Sequence, residues 1–231
     1  MDTRHFPHLC QPDACKSCGA CCGLYNYADS SRDTLVRRLR RRTALMGRAN
    51  RSPAGLEEFA RMIRDTEDMT KRYEVIYCCE YLGFLDLEER RVGCLLHPLQ
   101  NDGVDHREVS FYGRELCDGH FCPSYHYLSR EEKHSLLNVI DDWYLYGLVI
   151  TDIDLVKSYL KGFFDSVYIS YMSFENILKQ KPVTIKLLPI EKSNQIKKSR
   201  YQYPIESFTI LPDLIKVFKA LVRKYLDAML F

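Results

Sequence analysis

Ten cysteines lie between Cys10 and Cys122, and none follows Cys122 in this chain of 231 residues. Four of them form the segment C-K-S-C-G-A-C-C, from Cys15 to Cys22. Two residues between thiols let a tight turn point both sulfurs at one metal centre. Three cysteines spaced C-x2-C-x2-C also match the first three ligands of a ferredoxin-type iron–sulfur segment. The segment therefore predicts that metal ligation organises the first half of the chain.

The adjacent pair Cys21 and Cys22 limits how one ion could be bound. Successive side chains on a helix diverge by about 100°, so one ion does not readily take both sulfurs. We therefore expect Cys22 to serve a second metal centre, a bridge between metals, or redox chemistry. Gly19 and Ala20 are small, so the backbone there can approach a sulfur and donate N–H hydrogen bonds to it.

A second, looser group of cysteines follows, and it ends in C-D-G-H-F-C, a spacing compatible with another metal knuckle. With the first group it allows two four-thiolate sites, one binuclear site, or one cluster with spare thiols. Thiolate ligation suits zinc and iron–sulfur clusters about equally, so the metal stays open. The eight predicted metal ligands are Cys15, Cys18, Cys21, Cys22, Cys79, Cys94, Cys117 and Cys122.

The remaining two cysteines, Cys10 and Cys78, are predicted to be buried apolar side chains, because free cysteine packs well in protein cores. Four thiolates around a divalent ion leave a net charge of about −2. Lys16 or Arg114 could help to neutralise that charge.

Two histidines lie near the cysteines, each at C-x2-H spacing from one of them. His97 and His120 could each ligate a metal directly, or His97 could orient a ligand instead. His5 and His8 form an H-x2-H pair, for which a frayed terminus is the favoured interpretation.

The stretch from Cys15 to Cys122 resembles the zinc- or iron-chelating CxxCxxCC family (YkgJ-type). The likeness rests on C-K-S-C-G-A-C-C, C-E-Y-L from Cys79, G-C-L-L-H-P from Gly93, and the final cysteine pair. That family is mostly bacterial, and the resemblance implies metal binding by eight cysteines in this order. Two features depart from it: G-R-E-L stands where many members have Arg-Pro, and Leu99 to Tyr112 looks like an insertion. Flagellin lysine methylases have a similar cysteine pattern, which assigns no methyl-transfer role to any residue here.

The start of the chain and its overall charge favour a reducing compartment and no membrane. Met1 to Leu9 has no apolar run typical of a signal peptide, and no long uncharged stretch predicts a membrane span. We therefore expect a cytoplasmic protein with reduced thiols. Lys plus Arg (33) nearly balances Asp plus Glu (31), so net charge favours neither a nucleic-acid nor a membrane partner.

The expected fold is α+β but mainly α. Helices are predicted over Asp33–Met46 and from Pro53 onward, with Ser52 as the N-cap of the second. From Cys78 to Pro123, scattered glycine turns indicate short strands and loops, which metal ligation rather than a large core would hold together.

The C-terminal half is predicted to be mainly helical. A capping box at Ser129 and Glu132 marks a junction between a cysteine-rich region, 1–128, and a region 129–231 that could pack with it as one unit. Short strands are expected at Val183–Leu188 and Phe208–Leu211. Three apolar stripes recur at helical spacing: Leu137, Ile140, Tyr144 and Leu148; Val156, Tyr159, Leu160 and Phe163; and Leu214, Phe218, Leu221, Tyr225 and Met229.

The first predicted helix has an arginine-rich polar face. Guanidinium groups suit phosphate, which makes Arg38, Arg41 and Arg42 candidates for phosphate or nucleic-acid binding. The favoured alternative is a solvated face whose arginines pair with acids such as Glu57, Glu58 and Asp65.

These patterns favour a metal-binding protein that is accessory rather than catalytic, because phosphate-loop, nucleophile-elbow and H-E-x-x-H motifs are absent from the sequence. Two alternatives stay open. One is an iron–sulfur enzyme for redox or group-transfer chemistry, and the other is a zinc-containing nucleic-acid-binding module. The sequence predicts no particular protein partner.

Overall fold

A computed structural model of the chain describes residues 8–74 and 76–151. This part is rich in helix and contains one small antiparallel sheet, so the prediction of a mainly helical fold is confirmed for the described residues. The predicted stripes that begin at Val156 and Leu214, and both predicted C-terminal strands, lie outside the described residues. The elements are α1 Arg32–Met46, α2 Pro53–Thr66, β1 Leu82–Phe84, β2 Val92–Cys94, α3 Gly113–Gly119, α4 Pro123–Tyr127, α5 Arg130–Val139 and α6 Trp143–Thr151.

Both N-terminal helices form where the sequence predicts them. The Oγ of Ser52 accepts a hydrogen bond from the backbone N–H of Gly55 at 3.2 Å, and Pro53 opens α2. Each helix turns its apolar stripe inward, which accounts for its position against the rest of the molecule. The buried stripe residues are Leu35, Leu39 and Met46 on α1, and Leu56, Phe59, Ala60 and Ile63 on α2.

A two-stranded hairpin carries part of the second cysteine group. Strands β1 and β2 pair antiparallel, with Leu82 opposite Cys94. Helix α1 lies against β1, where the N–H of Phe84 donates to Thr43 Oγ1 at 2.8 Å. A Cβ at Gly83 would lie 2.5 Å from that same oxygen, so glycine permits the close approach. The expected short strands are confirmed, and α3 is a helix that the sequence did not predict.

The first C-terminal stripe is divided between two helices. The predicted capping box is present, since Ser129 and Glu132 exchange side-chain and backbone hydrogen bonds at the start of α5. Helix α5 ends at Val139, and α6 starts after Asp142, whose carboxylate accepts the N–H of Leu145 at 2.8 Å. That carboxylate caps a new helix and also accepts two hydrogen bonds from Arg32, so the helical conformation is interrupted between α5 and α6.

Helix α6 is a central element of the core. Eight of its nine residues are buried. It packs in one apolar cluster with Leu9, Leu24 and Tyr25 from the N-terminal segment. The described residues after Ser129 therefore share a core with the cysteine-rich region. In the described ranges, no helix combines the length and apolar character that crossing a membrane requires.

A second apolar cluster lies between α2 and the segments that flank the hairpin. It joins Phe59 and Ile63 of α2 to Tyr81, Leu95 and Leu96 of the segment predicted to lack a large core. That expectation was wrong, because these side chains pack as a conventional core. The first cysteine segment contacts the hairpin, where the N–H of Val92 donates to Ser17 Oγ at 2.6 Å.

Candidate cysteine-lined site

Sulfur atoms from four separate segments of the chain surround one cavity of about 230 Å³. Of the predicted ligands, the residues lining it include Cys18, Cys21, Cys22, Cys79, Cys94 and Cys117. Cys10 lines it as well, although the sequence predicted a packing role for that residue. Cys122 is buried in the apolar cluster that also contains Cys18.

Backbone geometry brings the first and second cysteine segments together. A 3₁₀ helix, Ala20–Cys22, is followed by Gly23 at φ +76°, where the chain turns. A Cβ at Gly23 would lie 2.0 Å from the carbonyl oxygen of Tyr77, so this position needs glycine for space and for conformation. The two cysteine segments are joined directly by a backbone hydrogen bond of 2.9 Å, which the N–H of Cys79 donates to the carbonyl oxygen of Cys22.

The doublet divides the thiols into two groups. Successive residues of a 3₁₀ helix diverge by about 120°, so Cys21 and Cys22 point to different neighbours. The thiols that influence Cys21 are those of Cys10, Cys18 and Cys122, and we call these four the Cys10 group. The thiols that most influence Cys22 are those of Cys79, Cys94 and Cys117, with a smaller effect from Cys10, and we call Cys22 and these three the Cys22 group.

Burial and neighbouring sulfurs shift the pKa of most of these thiols. Burial raises the pKa of Cys94 and of Cys122 to about 11 each. The pKa of Cys21 is raised mainly by its hydrogen bond to Cys10, and that same bond lowers the pKa of Cys10. Thiols with a raised pKa are protonated at neutral pH, so a metal ion must displace their protons to bind.

Backbone N–H groups donate to four of the sulfurs, and each sulfur has a donor two residues further along the chain; Cys94 also accepts from His97, and Cys122 from Tyr125. The pairs are Ala20 to Cys18, Tyr81 to Cys79, Leu96 to Cys94, and Ser124 to Cys122. The hydrogen bond predicted for Ala20 is thus confirmed. Each bond stabilises the thiolate form, and hydrogen bonds to sulfur are a means by which proteins tune metal–sulfur centres.

The sulfurs do not converge on a single point. Within residues 8–74 and 76–151, no group of three or more Cys, His, Asp or Glu side chains has the arrangement needed to hold a metal ion. Four-thiolate ligation would therefore require side-chain rotation toward the cavity. Metal binding stays a prediction at this point.

The surroundings of Cys15, Cys78 and Cys10 can each be compared with the role that the sequence predicted for that residue. Cys15, a predicted ligand, is exposed and does not line the cavity. Cys78 is buried, as predicted, and Asn26 Nδ2 lies 3.6 Å from its sulfur. Cys10 is the correction, since its thiol accepts a hydrogen bond from Cys21 instead of only filling space.

The charge beside the thiols comes from a residue that the sequence did not indicate. Arg107 lines the cavity, and its positive charge counteracts the rise in pKa at Cys94 and Cys117. The two predicted cations have other neighbours: Lys16 lies 2.8 Å from Asp141, and Arg114 lies beside the carboxylate partners of Arg107. No motif surrounds Arg107 in the sequence, so only its position in the folded chain identifies it as the cation beside these thiols.

Both histidines that were predicted near the cysteines line the cavity. The Nδ1 of His97 accepts the N–H of Leu99 at 3.2 Å, so a metal contact by His97 would have to use Nε2. His8 stacks on Phe121 with ring centroids 4.7 Å apart, contrary to the frayed terminus expected there, and His5 is outside the described residues.

The candidate phosphate-binding arginines all engage one carboxylate. Arg38, Arg41 and Arg42 each donate to Glu67, at 2.7, 3.1 and 2.8 Å. The expected pairing with acids therefore occurs, although the partner is Glu67 rather than Glu57, Glu58 or Asp65. The expectation of a solvated face was wrong for Arg38 and Arg42, because both are buried. Phosphate binding by these arginines stays an untested prediction.

Comparison with known proteins shows no family for this chain. No protein-family model matches it, and no solved structure matches it significantly. Partial matches are to ATP synthase gamma chains: 31% identity over 77 residues in Chromobacterium violaceum, covering 33% of this chain and 26% of the relative. In Pelotomaculum thermopropionicum the match is 36% identical over 64 residues, covering 26% and 22%. The chain thus spans about a quarter of the length of these curated relatives, and the resemblance to the CxxCxxCC family stays a prediction.

Proposed function

We propose that this chain is an accessory metal-binding protein whose cysteine thiolates hold zinc or iron, the iron either as ions or as an iron–sulfur cluster. The observation that carries the proposal is the cavity of about 230 Å³, because seven cysteines from four chain segments line it. Packing alone gives no reason for sulfurs so distant in sequence to surround one space. Soft thiolate donors select zinc and iron–sulfur clusters.

The surroundings of the sulfurs support thiolate ligands. Backbone N–H groups donate to four of them, and the guanidinium of Arg107 lies beside Cys94 and Cys117. A four-thiolate zinc site has a net charge of about −2, which donors and cations of this kind offset. The donor chemistry therefore fits the proposed metals.

The spread of the sulfurs is compatible with binding coupled to local rearrangement. A preformed metal site rarely exists in an unfolded chain, so the free energy of metal binding contributes to folding and to the local ordering of the ligands. Rotation about the Cα–Cβ bond of each cysteine is the motion that would bring the thiolates together. The backbone frame, including the hairpin and the Ala20–Cys22 turn, would stay in place.

Metal analysis of the whole chain tests the proposal. Protein purified without oxygen should contain zinc or iron in a fixed ratio to the chain, by elemental analysis. Acid-labile sulfide and visible absorption distinguish an iron–sulfur cluster from zinc. A folded protein that contains neither metal nor sulfide, and takes up neither when supplied, would refute the function.

Adjacent cysteines provide a matched control. Cys79→Ser removes a thiol that lines the cavity, whereas Cys78→Ser changes one in the apolar core beside Asn26. We expect Cys79→Ser to lower the metal content and Cys78→Ser to retain it. Equal metal loss in both variants would indicate a general effect on folding instead of ligation.

A second candidate is an iron–sulfur enzyme for redox or group-transfer chemistry. It is favoured by the polar side chains of His97, Arg107 and Ser110, which line the same cavity and could bind a substrate. A coloured, reducible centre would support it, and a colourless protein with stoichiometric zinc would count against its redox form. The partial likeness to ATP synthase gamma chains supports neither candidate, because it covers about a quarter of those proteins.

A further inference from the structure

We propose that Cys10, rather than Cys15, completes a four-thiolate metal centre with Cys18, Cys21 and Cys122, and that the Cys22 group forms a second centre beside it. The inference rests on the proposed function, because it assigns the ligands of the same site. It departs from the CxxCxxCC spacing, in which Cys15 is the first ligand.

The backbone holds Cys10 against its group. Its carbonyl oxygen accepts the N–H of Cys18 at 2.8 Å, and its sulfur accepts a hydrogen bond from Cys21. The preceding carbonyl, that of Leu9, accepts the buried hydroxyl of Tyr146 at 2.8 Å. The segment containing Cys10 is therefore anchored both to the cysteine turn and to α6.

Cys15 is held away from the cavity by its neighbours. Asp13 Oδ1 accepts the N–H of Cys15 at 2.7 Å, which closes a turn that leaves this cysteine exposed. The next residue, Lys16, is buried, and its ammonium group pairs with Asp13 at 2.9 Å and Asp141 at 2.8 Å. Bringing Cys15 inward would disrupt this pairing, and an unpaired buried ammonium group is costly.

The second centre follows from the same backbone frame. Cys79 donates its N–H to the carbonyl of Cys22, and the hairpin sets Cys94 opposite Leu82, three residues after Cys79. The two apolar clusters separate most of the same thiols, with Cys22 packed against both. Cys18 and Cys122 lie in one cluster, while Cys79 lies in the other with Cys94 packed against it.

Binding of each divalent ion is balanced by proton release. Four protonated thiols and one Zn²⁺ give a four-thiolate complex with a charge of about −2, and four protons pass to solvent. The two complexes would be adjacent, because Cys21 and Cys22 follow one another in the chain.

A pair of serine variants tests the assignment in the full chain. Cys10→Ser and Cys15→Ser are each reduced, freed of metal and titrated with Zn²⁺ alone, and bound zinc is measured by elemental analysis. Wild type and Cys15→Ser should each bind two ions. Cys10→Ser should lose affinity for one of them, by at least the roughly 10–100-fold that follows removal of a group supporting a metal ligand.

Alkylation of the wild-type protein provides a test that needs no variant. The zinc-loaded protein is treated with iodoacetamide under native conditions, and modified sites are located by mass spectrometry. Cys10 and Cys15 lie in one tryptic peptide, H-F-P-H-L-C-Q-P-D-A-C-K, so fragmentation must assign the label within it. Cys15 should react in the loaded protein, and Cys10 should react only after the zinc is removed by a chelator.

The outcomes separate this inference from the proposed function. Zinc loss in Cys15→Ser with full binding in Cys10→Ser, or protection of Cys15 in the loaded protein, overturns the assignment while metal binding stands. Full binding in both variants overturns it too. Failure of the wild-type chain to bind any metal overturns the proposed function, and the ligand assignment with it.

Discussion

Arg42 and Glu67 form a buried ion pair that also fixes the backbone beside the cavity. The Arg42 side chain is fully buried and that of Glu67 is 7% exposed, with 2.8 Å between Nη2 and Oε2. Nη1 of the same arginine donates to the carbonyl oxygen of Cys79 at 2.9 Å. One guanidinium therefore joins α1, the end of α2 and the second cysteine segment.

Glu67→Gln should destabilise the fold strongly. The glutamine keeps the shape but removes the charge that compensates the buried Arg42, and such a loss costs about 3–5 kcal/mol. The free energy of unfolding from urea titration measures the change. Glu58→Gln is the control, because Glu58 is exposed and lies 3.9 Å from Arg61, so its loss should cost about 0.5 kcal/mol or less. Equal values for the two variants would contradict the prediction.

Gly147→Ala should destabilise α6 although alanine is the better helix former. An added Cβ would lie 2.0 Å from the hydroxyl oxygen of Tyr25, which lies within hydrogen-bond distance of two carbonyl oxygens of α6. Overpacking typically costs about 1–3 kcal/mol of stability. The upper part of that range exceeds the gain in helix propensity from glycine to alanine, which is about 1 kcal/mol. Thermal unfolding of this variant should start at a lower temperature. In Gly119→Ala no described atom lies within 4 Å of the new Cβ, so that variant should lose no stability.

Ser129→Ala should cost about 0.5–2 kcal/mol, the usual value of an N-cap side chain. Its hydroxyl accepts the N–H of Glu132 at 3.2 Å, and the reciprocal bond completes the capping box. The matched control is Ser31→Ala: Ser31 is the N-cap of α1, and its side chain makes no capping hydrogen bond among the described residues. Urea titration should show a stability loss for Ser129→Ala that clearly exceeds that of Ser31→Ala.

Local signals in the sequence predicted the starts of helices well. Ser52 with Pro53, and Ser129 with Glu132, act within four residues, so the residues that cause the structure are adjacent in the sequence. The divergence of Cys21 and Cys22 is local for the same reason. Six of the eight predicted ligands line one cavity, three from the first cysteine segment and three from the segments around the hairpin and α3.

Long-range contacts decided what the sequence could not show. The position of Cys10 at the cavity and of Cys15 outside it depends on Tyr146 and Asp141, which are more than a hundred residues away. The break before α6 depends on Arg32, whose guanidinium binds the carboxylate of Asp142. Apolar spacing cannot reveal such partners, because it describes one face of one helix at a time.

Buried thiols should make the metal-free protein sensitive to alkaline pH. Burial raises the pKa of Cys94 and of Cys122 from 9.0 to about 11 in the folded chain. A folded pKa above the unfolded value favours the protonated folded state. The resulting stability is fully present below about pH 9 and is lost as the pH rises toward 11.

Zinc should remove this alkaline loss of stability, because metal-bound sulfurs are already thiolates and have no proton to lose. The urea midpoint of metal-free protein, kept reduced, should fall between about pH 8 and pH 10.5, while that of zinc-loaded protein without excess metal should fall much less. Buried tyrosines such as Tyr27, whose pKa is raised to about 12, titrate in both forms, so the difference between the two curves isolates the thiols. Parallel curves for the two forms would show that these sulfurs do not exchange their protons for metal.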